Sequence, residues 1–174
     1  MSRRSPTATT RTVTTEPLIR PIRPDDDTAM ASIIREVMTS FGACGPGYSI
    51  NDPEVDAMSA HYPEPRAAFF VVDQQGRVLG GGGIGPLAGA DADTCELRKM
   101  YLLPELRGRG IGKELLGRCL DAARERGYRR CYLETLTHMD AAQRLYAKAG
   151  FTPLCGPLGA TGHSGCNRFY LLGL

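Results

Sequence analysis

The stretch Arg107-Gly108-Arg109-Gly110-Ile111-Gly112-Lys113 decides how the rest of the chain is interpreted. It lies between an apolar run that ends at Leu103-Pro104 and a segment whose apolar residues recur at helical spacing. Glycines at alternate positions permit a tight turn and leave the backbone N–H groups uncovered. The unpaired amides and the positive dipole end of the following helix point to the same place, and three basic side chains add charge. These features predict a loop that binds a phosphate group, most plausibly a pyrophosphate.

The spacing within this stretch distinguishes among known phosphate loops. A Walker A loop needs a glycine where Arg107 stands and a Ser or Thr where Glu114 stands. The dinucleotide fingerprint G-x-G-x-x-G fails because Lys113 occupies the position of its last glycine. The pattern that fits is R-x-x-G-x-G, with its glycines at Gly110 and Gly112. A glycine-rich helix entry without a ligand is the remaining alternative.

Length and composition favour a single globular domain. The chain has 174 residues, of which 42% are hydrophobic and 23% charged, enough to bury a sizeable core. The net charge of +2 favours neither a nucleic-acid nor a membrane partner. The six cysteines contain no C-x-x-C pair, so we expect a reducing cytoplasm, no disulfide framework and no metal.

The chain divides into a polar start and one folded domain. Residues 1–16 are rich in Thr, Ser and Arg and have almost nothing to bury, so we expect a disordered tail before a domain at residues 17–174. The expected element order is strand, two helices, three strands, helix, strand, helix and two strands, which is a mixed α/β fold. The second of these helices is expected to start at Asp52-Pro53 and to reach about His61.

One strand carries charged residues of particular interest. Residues 95–103 alternate in a way that predicts a strand directly before the phosphate loop. Strict alternation would place Glu96 on the same face as Met100 and Leu102, with Lys99 on the opposite face. Glu96 could then point toward a ligand held by the loop.

Three separated pieces of this sequence resemble the GNAT superfamily of N-acetyltransferases. They are Ile19-Arg20-Pro21 near the start, the R-x-x-G-x-G loop, and Leu145-Tyr146-Ala147-Lys148-Ala149-Gly150-Phe151 near the end. The resemblance spans about residues 18–174 and implies a central, mostly antiparallel sheet that is splayed at the cofactor site and flanked by helices. It also implies acetyl-CoA as the cosubstrate.

The resemblance implies a role for each matching residue. The pyrophosphate would be held by the loop from Arg107 to Lys113, and the pantetheine arm by main-chain groups of Met100, Tyr101 and Leu102. Tyr146 matches the tyrosine that can protonate the departing sulfur, although it would also suit an ordinary core position. Glu96 matches a glutamate that deprotonates the amine in many members.

Two observations leave alternatives open at this point. Glu96 could instead be a structural carboxylate paired with Arg98 or Arg20. Many members carry an asparagine that bonds the pantetheine where this chain has Met139, which cannot make that hydrogen bond. Either His138 or Asp140 replaces it, or the contact is absent.

The acceptor is expected to be recognised by two variable loops, at residues 42–51 and 156–167. Tyr48 and His163 are the candidate substrate-binding side chains in these loops. The favoured function is transfer of acetyl to a primary amine of a small molecule by direct attack in a ternary complex. Protein or peptide N-acetylation and a non-catalytic CoA-binding module are the alternatives. Since many relatives pair, a homodimer is also expected.

Overall fold

A computed structural model of the chain describes residues 16–63 and 65–174. The expectation for the tail at residues 1–15 lies outside the described residues, so the division into tail and domain stays a prediction. Seven strands form one sheet in the order β1-β2-β3-β4-β5-β7-β6. The strands are β1 (Leu18–Pro21), β2 (Ala68–Gln74), β3 (Arg77–Pro86), β4 (Thr94–Leu102), β5 (Arg130–Thr135), β6 (Thr152–Leu154) and β7 (Arg168–Gly173). The helices are α1 (Asp27–Ser40), α2 (Ile111–Glu125) and α3 (Asp140–Lys148).

The sheet is antiparallel except at one junction. β4 and β5 run parallel and pair over only three residues, from Thr94 opposite Arg130 to Glu96 opposite Tyr132. Beyond Glu96 the two strands part, so one edge of β4 is left without a strand partner. This confirms the mixed α/β class and the mostly antiparallel, splayed sheet.

Helices α1 and α2 cover opposite faces of the sheet. A side chain at Gly81 of β3 would meet the sulfur of Met30 in α1. Phe70, which is paired with the next residue of β3, lies under the guanidinium of Arg118 in α2. Successive strand residues face opposite sides, so each helix buries its apolar stripe on its own face.

The glycine run of β3, residues 80–83, marks close packing inside the sheet. A Cβ at Gly83 would lie 2.4 Å from the carbonyl oxygen of Ala68, and one at Gly81 would lie 2.7 Å from that of Phe70. These glycines therefore serve close backbone approach within the sheet.

The prediction of a helix over residues 52–61 is wrong. Three short 3-10 segments occupy the region instead, at Ser49–Asn51, Pro53–Asp56 and Met58–Ala60. Val55 and Met58 are the buried apolar side chains of the last two segments. Their spacing of three suits the 3-10 period, and it gives too narrow a stripe to bury a longer α-helix.

The alternation expected along β4 is also wrong. Lys99 has a φ of 51°, and the pairing with β3 shifts by one residue between Gly81 and Gly83, which is a β-bulge. After the bulge, Lys99 and Tyr101 face the same side as Glu96, toward the segment at residues 49–54. Met100 and Leu102 face the other side, so they no longer share a face with Glu96.

No helix of the described residues is both long enough and apolar enough to cross a bilayer.

Candidate active site

A cleft of about 840 Å³ opens where β4 and β5 part, and α2 and α3 form its walls. Its size is typical of a site for a cofactor or other small molecule. Most residues expected to bind the cofactor line it: Met100, Tyr101, Leu102, Arg107, Gly108, Gly110, Gly112 and Lys113. The other two do not line the cleft, since Arg109 is exposed and the side chain of Ile111 is buried in the core.

Backbone N–H groups of the loop are free at the mouth of this cleft. Within residues 16–63 and 65–174, the amides of residues 108–112 make no hydrogen bond to another backbone group. The amides of Arg107 and Lys113 are already bonded, to the carbonyl oxygens of Pro104 and Gly110, both at 3.0 Å. The loop therefore presents its central amides, and not its ends, to an anion.

Two glycines give the loop its shape. Gly108 has a φ of 73° and Gly110 a φ of 81°, in the left-handed region that side chains other than glycine disfavour. No atom lies within 4 Å of a Cβ placed at either position. The backbone conformation, and not lack of space, therefore requires glycine here.

Basic side chains flank the free amides. Arg107 donates from Nη2 to the carbonyl oxygen of Leu102 at 3.3 Å, and its guanidinium carbon lies 6.0 Å from the centre of the Phe41 ring. Lys113 is exposed at the rim. Ile111 offers only its amide, because its side chain anchors the start of α2 in the core.

Met139, at the position of the expected asparagine, directly precedes α3. Thr135 donates from its hydroxyl to the sulfur of Met139 at 3.4 Å. His138 is already bonded through Nε2 to the carbonyl oxygen of Phe41 at 2.8 Å. Asp140 starts α3 at the rim of the cleft and stays exposed there.

A second, smaller cavity of about 70 Å³ lies on the other side of β4. We call it the inner cavity; besides two tyrosines, its polar lining residues are Ser49, Glu96, Arg98, Lys99, Glu134, Thr135, His163 and Cys166. Met100, Tyr101, Met139 and Tyr146 line both spaces. The cleft and the inner cavity therefore adjoin at these side chains.

Tyr146 lies at this junction. Its ring is buried against Phe151 and Tyr170, with ring centres at 5.8 and 6.3 Å. Its hydroxyl has no hydrogen-bond partner among the described residues, and burial raises its pKa well above the usual value. The hydroxyl therefore stays protonated at neutral pH and is available to a ligand.

Glu96 is buried in the inner cavity, and one of its two carboxylate oxygens is already hydrogen-bonded. Its Oε2 accepts a hydrogen bond from Nε of Arg98 at 2.7 Å. Burial raises the pKa of the Glu96 carboxyl, and the charges of Arg98 and His163 act against that rise. The ion pair with Arg98 is thus present, whereas Arg20 pairs with Asp26 and Asp73.

His163 enters the inner cavity and is held by Asp52. Its Nε2 lies 2.9 Å from Oδ2 of Asp52, and this hydrogen bond raises the pKa of the imidazole. The same carboxylate forms an ion pair with Lys99, whose Nζ also lies 3.3 Å from Oε1 of Glu54. Because Lys99 is only 2% exposed, its two carboxylate partners compensate a buried charge.

Tyr48 does not line the inner cavity, whereas its neighbour Ser49 does. A Cβ at Gly165 would lie 2.4 Å from the Tyr48 ring, and the Gly165 amide donates to Gly47 at 2.9 Å. The two loops expected to bind the acceptor therefore touch, with Tyr48 packed between them.

Three polar residues of this site were not expected from the sequence: Asp52, Lys99 and Glu134. Asp52 was interpreted as the start of a helix, and the bulge moves Lys99 to a face that strict alternation does not predict. The sequence does contain a signal for Glu134, because an acidic residue within the otherwise apolar run of β5 is unusual in a buried strand.

A comparison with protein-family models decides the family. The model of the acetyltransferase (GNAT) family matches residues 31–151. The chain is a member of the GNAT family. Its relatives include YjgM of Escherichia coli, an uncharacterized N-acetyltransferase, which is 42% identical over 151 residues, covering 86% of this chain and 90% of YjgM.

Solved GNAT structures share the fold. An acetyltransferase of the GNAT family from Staphylococcus aureus superposes with a TM-score of 0.78 at 20% identity, over 91% of this chain and 99% of the other. YncA of Salmonella typhimurium, solved with its cofactor acetyl-CoA, has a TM-score of 0.70 at 23% identity, over 90% and 93% of the two chains. This GNAT member is an acyltransferase of the N-acetyltransferase type.

Proposed function

We propose that this GNAT protein transfers the acetyl group of acetyl-CoA to a primary amine of a small molecule by direct attack in a ternary complex. The observation that carries the proposal is the junction at Tyr146, where a long, mostly apolar cleft meets a small, charged cavity. Such a junction brings a thioester from one side within reach of an amine from the other.

The cleft has the features that acetyl-CoA requires. The free amides of residues 108–112, the dipole of α2 and the charges of Arg107 and Lys113 suit a pyrophosphate. The unpaired edge of β4 at residues 97–102 offers main-chain donors and acceptors to the amide groups of the pantetheine arm. Acetyl-CoA supplies the activated acetyl group, and no metal takes part in the proposal.

Each polar group at the junction has one task. Glu96 takes the proton from the amine through its unbonded Oε1, and the raised pKa of its carboxyl makes it a better base. A backbone N–H of β4 stabilises the charge that develops on the carbonyl oxygen. Tyr146 gives its proton to the departing sulfur.

The size of the inner cavity favours a small amine over a protein surface. About 70 Å³ holds little more than an aminoalkyl end. His163 contacts the acceptor in this cavity, with Tyr48 supporting its loop. A lysine side chain of a peptide could also enter, so a peptide belongs in the test.

The test is a panel of amines with acetyl-CoA, detecting released thiol. The panel contains butylamine, 1,4-diaminobutane, straight-chain amino acids and a lysine-containing peptide, and CoA binding is measured separately by calorimetry. Turnover of the small amines above that of the peptide supports the proposal, whereas faster peptide turnover shows a protein acetyltransferase. CoA binding with no turnover shows a binding module, and no heat for CoA removes the cofactor assignment.

We also propose that the enzyme works in the cytoplasm and forms a homodimer. Cys44 and Cys155 are exposed free thiols, and a reducing cytoplasm would keep them reduced. A homodimer is expected from the family resemblance and is tested by light scattering of the purified chain.

A further inference from the structure

Glu134 holds a buried oxygen that no group of the described residues satisfies. Its side chain is 4% exposed and lines the inner cavity. Oε1 accepts hydrogen bonds from the hydroxyls of Tyr132 at 2.7 Å and Thr161 at 2.9 Å. Oε2 has no hydrogen-bond partner. An unpaired buried carboxylate oxygen is costly, so it requires a partner that the protein itself does not provide.

The unsatisfied oxygen faces a gap between three polar atoms. Nδ1 of His163 lies 3.9 Å from Oε2 of Glu134 and 3.9 Å from Oε1 of Glu96. These distances are too long for hydrogen bonds, and the Nε2 side of the ring is already engaged with Asp52. A small donor group between the three atoms would reach both carboxylates at once.

The charges around this gap are unbalanced. The carboxylates of the cluster are Asp52, Glu54, Glu96 and Glu134. The basic side chains that approach them are Arg98, Lys99 and His163. With every group charged, the acids exceed the bases by one, so the cluster, in which the side chains of Glu96 and Glu134 are buried, lacks one cation.

We propose that Glu134, together with Glu96, binds the acceptor amine in its ammonium form. This inference rests on the proposed function and names its substrate class as a primary alkylammonium ion. An alkylamine is protonated at neutral pH, since its pKa is near ~10.4 when lysine-like. Its N–H groups provide the donors that Oε2 of Glu134 and Oε1 of Glu96 lack, and its charge completes the cluster.

The ammonium form also explains how an amine is selected over an alcohol. A hydroxyl has one proton to donate and no charge, so it leaves one carboxylate oxygen unpaired in the gap. The bound ammonium then passes its proton to Glu96, and the amine attacks as the free base. Water in the same gap would satisfy the oxygens without selecting a ligand, and this is the competing occupant.

The test uses Glu134→Gln, which keeps the shape of the side chain and removes its charge. We expect the KM for butylamine to rise roughly tenfold or more, because a charge-assisted hydrogen bond is lost, with the KM for acetyl-CoA unchanged. The matched control is Glu125→Gln, an exposed glutamate at the end of α2, which should leave both constants unchanged. A KM for butylamine within twofold of the wild-type value overturns the inference.

If the Glu134 variant does not fold, a second measurement on the wild-type chain tests whether the site prefers an ammonium ligand. With CoA present, butylamine should raise the melting temperature, whereas 1-butanol at the same concentration should not. Equal effects of the two compounds, or no effect of either, overturn the inference. This measurement of binding does not depend on turnover. If the enzyme binds butylamine without acetylating it, only the proposed function is contradicted. If it acetylates amines but shows no preference for butylamine over 1-butanol in binding, only the ammonium site is contradicted.

Discussion

The glycine-rich loop before α2 and the inner cavity are built in opposite ways. The loop is seven consecutive residues, Arg107 to Lys113, whose binding groups are backbone amides exposed at a helix start. The inner cavity combines side chains from four distant segments, represented by Ser49, Glu96, Glu134 and His163. The loop depends on local backbone conformation, whereas the cavity depends on the register of β4 and β5 and on the contact of two loops.

Because of this difference, the two regions should tolerate different amino-acid substitutions. A backbone site accepts many side chains as long as its glycines keep their dihedral angles. A cavity of buried charges depends on each partner, because removal of one leaves another unpaired. Substitutions in the loop should therefore act on cofactor affinity, and those in the cavity on rate, acceptor affinity and pH dependence.

The largest effect is expected at Tyr146, where the cleft meets the inner cavity. Tyr146→Phe removes the hydroxyl that would protonate the departing sulfur, and kcat should fall by roughly 100-fold or more. CoA affinity, measured by calorimetry, should stay the same because the ring remains packed against Phe151 and Tyr170. Tyr128→Phe is the control, since its hydroxyl bonds the carbonyl oxygen of Arg66 away from the cleft. Equal rates for the two variants would assign Tyr146 to the core alone.

A change at Glu96 tests the proposed base on the acceptor side of the site. Glu96→Gln is expected to lower kcat by about 30- to 100-fold, because the amine loses its base. In the proposed mechanism the ionised carboxylate is the active form, so the rate of the wild type should fall as pH falls through the raised pKa of Glu96. A pH–rate profile of the variant should lack this acid limb. An unchanged limb would show that another group takes the proton.

A change at Gly110 addresses the loop directly. Gly110→Val forces a β-branched residue to a φ of 81° and should weaken CoA binding by roughly 10- to 100-fold, given a strain of about 1–3 kcal/mol. Gly76→Val is a matched control, because Gly76 has a φ of 80° in the hairpin between β2 and β3. Both variants should lose stability, but only the first should lose CoA affinity in calorimetry. A similar loss of affinity in both would show a general effect of misfolding.

The smallest effect concerns the pairing of Asp52 with His163. Asp52→Asn should lower the pKa of His163, measured by NMR titration of the imidazole. In the wild type the folded pKa of His163 lies above its ordinary value of 6.5. The stability gained from the charged imidazole is therefore complete below that value and lost as pH rises through the folded pKa. Urea unfolding should show a weaker pH dependence in the variant, and an unchanged His163 titration would contradict the pairing.

Much of the fold could be predicted from the sequence because its cues are local. The apolar stripe of α1, from Met30 to Met38, and the glycines around α2 mark helices by spacing and dihedral preference. The free amides of the loop follow from the same local pattern. The region at residues 52–61 was mistaken for a helix because a proline start favours any helical turn, and the packing of Val55 and Met58 selected 3-10 turns.

The acceptor side could not be predicted in the same way. The bulge at Lys99 depends on the pairing of β4 with the glycine run of β3, which no pattern within residues 95–103 indicates. The bond between His163 and Asp52 joins residues 111 positions apart. Such pairings depend on how distant segments meet.

The prediction of a phosphate-binding loop at a helix start needs only local sequence, since three glycines and a helix dipole act within a few residues of one another. The character of the inner cavity depends instead on contacts between distant segments. The parting of β4 and β5 and the bulge at Lys99 bring Glu96, Glu134 and His163 to one buried space. Burial then makes each unpaired charge costly, and that cost is the physical basis for the proposed selection of a cationic acceptor.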